Sequence, residues 1–123
     1  MKKKENLLTE AHKDVVSIII RCRIKIDDRD DPTLLDIMTD MRALPGIVTV
    51  RQNLPLSDVI DTAGHRIAEL KVTYIPKFVE SSSDILMTVL KSLKTINGVD
   101  MIKLTEHEDV NIMNILNKSP IVI

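Results

Sequence analysis

Aromatic residues are nearly absent: one Tyr, one Phe and no Trp, 2% of a 123-residue chain. The core must therefore be built from Ile, Leu, Val and Met, and the stacking platforms that hold bases or sugars are missing. A single cysteine, Cys22, excludes an intrachain disulfide framework and a cysteine-based zinc site. Three glycines leave no phosphate-cradling glycine-rich loop. Neither sign of charge dominates: the formal net charge is −1, so no whole-chain field points to nucleic acid or to a membrane surface. No apolar run exceeds three residues, far short of a membrane span. The lysine-rich start lacks the apolar stretch of a signal peptide. A cytoplasmic setting is expected, with no membrane partner.

What is present is a repeat. Residues 41–50 (MRALPGIVTV) are echoed by residues 93–102 (LKTINGVDMI), a shift of 52. Each copy is a helix end, a turn with Gly46 or Gly98, then an apolar run. The same shift carries Val15 onto Ile67, and Leu34, Ile37, Met38, Met41 and Leu44 onto Leu86, Val89, Leu90, Leu93 and Ile96. Two β-α-β units in tandem are implied.

Residues 15–26 alternate strictly, with Val16, Ile18, Ile20, Cys22, Ile24 and Ile26 on one side, which predicts a strand. Asp31-Pro32 predicts the start of a helix running to about Leu44, with Asp31 as N-cap. Residues 47–52 and 66–75 predict the second and third strands, joined by a long loop. Residues 81–84 predict the cap of a second helix ending near Asn97-Gly98, and residues 99–105 a fourth strand. The order β-α-β-β-α-β with right-handed crossovers predicts an α+β, ferredoxin-like sandwich. Its four-stranded antiparallel sheet carries two helices on one face, with strands one and three in the centre. The expected organisation is an N-terminal arm at 1–14, the domain at 15–106 and a C-terminal arm at 107–123, where residues 110–116 suggest a short helix.

Two surfaces are candidate partner sites. If the helices cover the even side of strand one, the open face carries Arg21, Arg23, Lys25, Arg51, Lys71 and Lys103 against one acid, Glu69. That bias suits phosphates or an acidic protein surface, and a merely solvated face is the alternative. The C-terminal arm holds Ile115, Leu116, Ile121, Val122 and Ile123. Burying four such side chains is worth roughly 6–12 kcal/mol. The arm is therefore expected to dock on its own sheet or to add a strand to a neighbour.

The remaining candidates are weaker. Asp27–Asp31 is acidic but lacks the glycine and closing Glu of a calcium loop. His12, His65 and His107 have no ligand at metal spacing and are expected at the surface. Cys22 falls on the apolar side of its strand, where a thiol is inert. No nucleophile–base pair is evident. No cofactor, no metal and no enzymatic activity are expected.

Residues 28–37 (DRDDPTLLDI), leading into residues 44–50 (LPGIVTV), resemble the start of an ACT regulatory domain. That resemblance implies amino-acid binding at the loop Asp27–Thr33. Residues 41–52 and 93–102 resemble segments of small phage proteins, which implies a virion component or another structural role in the host cytoplasm. The leading expectation is a non-enzymatic assembly module that packs with copies of itself or with other structural proteins. An ACT-like ligand-binding domain is the alternative, and nucleic-acid binding by the basic face is a third.

Overall fold

The computed structural model describes residues 15–76 and 82–123. The arm expected at 1–14 lies outside the described residues, as do the capping side chains expected at 81–84. Among the described residues there are four strands: β1 (Val16–Lys25), β2 (Ile47–Gln52), β3 (His65–Tyr74) and β4 (Val99–His107). They make one antiparallel sheet in the order β2-β3-β1-β4, so β1 and β3 are central. Three helices are described: α1 (Leu34–Arg42), α2 (Ser82–Lys94) and α3 (Val110–Lys118). The chain is thus α+β, with a helix beyond the two expected in the repeat.

Strand alternation decides which face is buried. Ile18, Ile20, Cys22 and Ile24 of β1, Ala68, Leu70, Val72 and Tyr74 of β3, and Ile102 and Leu104 of β4 are all buried. They share one cluster with Ile37, Met38 and Met41 of α1, Leu86, Leu90 and Leu93 of α2, and Ile112 and Leu116 of α3. Cys22 sits within it, and burial pushes its thiol up to about 12. A thiol so protonated is no nucleophile at neutral pH.

Helix α1 starts later than the sequence suggests. Thr33, not Asp31, is its N-cap: Thr33 Oγ1 accepts from the Asp36 N–H at 3.1 Å, and Asp36 Oδ2 accepts from the Thr33 N–H at 3.0 Å. This reciprocal box satisfies two donors at once. The Asp31 carboxylate instead accepts the Asp28 N–H at 2.9 Å inside the loop.

The repeat has a backbone counterpart. Gly46 and Gly98 both have positive φ, 81° and 93°. The Gly98 carbonyl accepts from the Lys25 N–H at the end of β1, and the Gly46 carbonyl from the Ile75 N–H just after β3, both at 2.8 Å. Each α–β turn is therefore tied to the end of a central strand. The two halves brace each other by the same bond used twice.

The chain's own groups meet both sheet edges, over several bonds at β4 and at a single carbonyl at β2. At the β4 edge, the Ile102 N–H donates to the Ile123 carbonyl at 2.9 Å, and the Ile123 N–H returns to the Ile102 carbonyl at 2.8 Å. The Leu104 N–H donates to the Ile121 carbonyl at 3.1 Å. At the β2 edge, Arg42 Nη2 and Nε donate to the Val50 carbonyl at 2.7 and 3.2 Å. A guanidinium on an edge carbonyl blunts that edge as a template for strand addition.

Candidate functional site

The open face of the sheet is assembled by register. Arg51 of β2 stands opposite Lys71 of β3, which stands opposite Ile19 of β1. Arg21 lies between Glu69 on β3 and Lys103 on β4. Arg23 lies between Ile67 and Met101, and Lys25 opposite His65. The six basic residues singled out from sequence are therefore on one face.

They are not six free charges. Arg21 Nε donates to Glu69 Oε1 at 3.1 Å, and Asn53 Nδ2 donates to Glu69 Oε2 at 2.7 Å. Those bonds, Asn53 first and then Arg21, hold the Glu69 carboxyl below its ordinary value. Arg23 is paired twice, by Nε to Asp61 at 2.8 Å and by Nη1 to Asp100 at 3.0 Å. Lys25 Nζ lies 3.5 Å from Asp28. The count of six bases against one acid is thus corrected, because it considered only residues read as strand and facing outward. Asp61 comes from the β2–β3 loop. Asp100 reaches the face where the β1–β4 register shifts between Arg23 and Ile24.

Asp61 is the organising group of its loop. Its Oδ1 accepts the N–H groups of Ala63 and His65, each at 2.9 Å, while Oδ2 takes Arg23. The His65 N–H bond foremost, then Arg23 and the Ala63 N–H, outweigh desolvation and bring the carboxyl down to about 2. The signal in the sequence was the spacing Asp61…Gly64: an Asp that bonds backbone two residues on, then a glycine for the turn. Gly64 has φ 82°. Asp100 had no such signal, since a register shift is set by strand pairing.

Arg51, Lys71 and Lys103 carry no ion pair among the described residues, and all three are exposed. Exposed Ile67 and partly buried Ile19 and Met101 separate the charged positions.

The arm residues are split between two environments. Leu116 is buried, at 6% exposure, and joins the core. Ile121 and Ile123 are partly buried and carry the backbone bonds to β4. Ile115 and Val122 are exposed, with Val122 bridged to Lys103.

The histidines divide as well. His12 lies outside the described residues. His65 is partly buried, its Nδ1 3.5 Å from Asp61 and its Nε2 3.9 Å from Asp100. His107, expected at the surface, is instead buried, at 7% exposure. The fourth strand extends to His107, past the predicted end at residue 105. A second register shift, between Ile19 and Ile20, returns the chain to the core side there.

The loop Asp27–Thr33 is held by the Asp28–Asp31 bond within it and by Asp27 paired to Arg66 of β3 at 2.9 Å. An open depression beside it is lined by Lys25, Asp31, His65, Gly98 and Asp100, among others. No cluster of three or more His, Cys, Asp or Glu side chains among the described residues is placed to hold a metal ion. No helix among them is long and apolar enough to cross a membrane. No family model matches the chain, and neither a curated protein nor a solved structure matches it.

Proposed function

We propose that the chain is a non-enzymatic assembly module of ferredoxin-like βαββαβ fold, which packs through its open sheet face into an oligomer or a larger particle. The central placement of β1 and β3 and the paired glycine turns support that name for the fold. The resemblance of residues 41–52 and 93–102 to phage segments makes a virion component the setting we propose, with the host cytoplasm as its place of assembly.

One observation carries the reading. The β4 edge is bridged by the chain's own terminus and one carbonyl of the β2 edge is taken by Arg42, while on the open face Arg51 and Lys71 stand directly opposite each other and neither has an ion-pair partner among the described residues, Glu106 lining the same depression as Lys71 without pairing to it. Like charges in cross-strand positions repel. An acidic neighbouring surface would relieve that repulsion and fix the register of docking. The interspersed Ile19, Ile67 and Met101 supply apolar contact between the charges.

Light scattering tests this directly. The wild-type chain is expected to form a defined multimer, and Arg51→Glu combined with Lys71→Glu to reduce it to monomer with an unchanged far-ultraviolet circular dichroism spectrum. A wild-type chain that stays monomeric at every concentration sinks the proposal.

The depression beside the loop favours a second reading, an ACT-like site for a small zwitterion. Its walls offer both a cation, Lys25, and carboxylates, Asp31 and Asp100. That reading expects at least one amino acid to raise the melting temperature. A flat response to all twenty ends it.

A further inference from the structure

His107 occupies the corner where β4 gives way to α3, and every polar atom of the residue that could hold that corner is engaged. Its Nδ1 accepts the Asp109 N–H at 2.8 Å. Its Nε2 lies 3.1 Å from Tyr74 Oη, with the two rings edge to face. Its backbone N–H points at Met113 Sδ of α3, 3.1 Å away. An imidazole nitrogen that accepts an N–H carries no proton. The ring is therefore neutral, with its proton on Nε2, from which it donates to the Tyr74 oxygen.

That arrangement is incompatible with the imidazolium. A proton on Nδ1 would face the Asp109 N–H, donor against donor, in a buried site. The bond that turns the chain into α3 would be lost, and beyond that turn lie α3 and the terminal segment 121–123 that bridges the β4 edge. We propose that residues 109–123 form an acid-released strap, latched over the β4 edge by neutral His107 and freed when that ring takes a second proton. The proposal goes beyond the assembly reading and stands whether or not the chain assembles.

The groups facing the ring come from each element around it. Tyr74 faces it from β3, and Asp109 and Glu108 from the turn. Lys71 and Glu106 line the depression on its outer side with Ser17. Val16, Ile85 and Ile112, on its other side, are apolar. Burial lowers the affinity of the ring for its second proton, and the Asp109 and Glu108 charges work in the opposite sense. A histidine held below its ordinary value in the closed state binds that proton more readily once released. Closure is then fully favoured above the ordinary histidine value, and is lost as the pH falls from there through the lowered one.

The test measures amide-exchange protection factors, which remove the intrinsic pH dependence of exchange, from about pH 7.5 to about pH 5. Protection at Ile102, Leu104 and Ile123 is expected to fall by up to about tenfold per unit of pH between the ordinary histidine value and the lowered one, while Val72 in β3 holds. His107→Asn puts a neutral oxygen near the place of Nδ1 and should keep those three amides protected at the acid end. Unchanged protection in the wild type overturns the proposal. So does an equal loss in His107→Asn, which would assign the effect to the carboxylates. Should that variant not fold, the wild type still decides. The fall in strap protection must level off where the His107 ring itself takes its second proton, and a fall that continues unabated below that point overturns the latch.

Discussion

Gly98→Ala is expected to cost about 2–5 kcal/mol, far more than the same change at Gly64. Both glycines have positive φ, 93° and 82°. An L-residue held there costs about 1–2 kcal/mol. The gain from a stiffer unfolded chain is common to both and cancels in the comparison. The surroundings differ. A Cβ on Gly98 would lie 2.7 Å from Pro32 Cγ and 3.1 Å from Ile37 Cδ1, whereas at Gly64 nothing lies within 4 Å. Pro32 is a closed ring at the entry to α1 and cannot swing aside as the end of a lysine could. Overpacking of this kind adds about 1–3 kcal/mol. Urea midpoints for the two variants give the difference. Equal losses would mean that the α1 entry yields freely, and that the two halves do not brace each other at Gly98.

That bracing explains what the repeat did and did not reveal. The shift of 52 aligns the ends of α1 and α2 and the starts of β2 and β4, because the helix–glycine–strand turn is local chemistry. The first strands of the halves are not aligned by the same shift. Lys25 and Ile75, which bond the two glycine carbonyls, are 50 apart, so the lengths of the preceding loops differ. Alternation along β1 and β3 was legible because each has one face in the core. The charge balance of the open face was not. Asp61 and Asp100 reach Arg23 through a loop turn and a register shift, and both depend on which strands become neighbours. The burial of His107 was hidden for the same reason: a shift of one residue moves a side chain to the other side of a sheet. The α1 cap differs from the expected one because Asp31-Pro32 and Thr33…Asp36 are both good start signals. The second satisfies two donors reciprocally, and the first satisfies one.

Leu90→Ala is expected to cost about 2–5 kcal/mol, and to lower the protection of every slowly exchanging amide together. Leu90 is fully buried in the middle of α2, in the cluster that includes the buried side chains of β1 and β3. Its surroundings are a sheet fixed by register on both sides of β1, so the cavity cannot collapse easily. Leu116→Ala removes the same atoms from a residue also in the core, at 6% exposure, but with a different outcome. Leu116 sits on α3, which with the terminal segment 121–123 packs against β4. Loss of its packing is relieved by opening α3 and that segment alone, a subglobal unit with its own lower stability. Protection should then fall at Ile102, Leu104 and Ile123 and persist at Val72. If Leu116→Ala instead lowers Val72 as far as Leu90→Ala does, the C-terminal segment is an inseparable part of the core. The acid-released strap would then have no separate element to release.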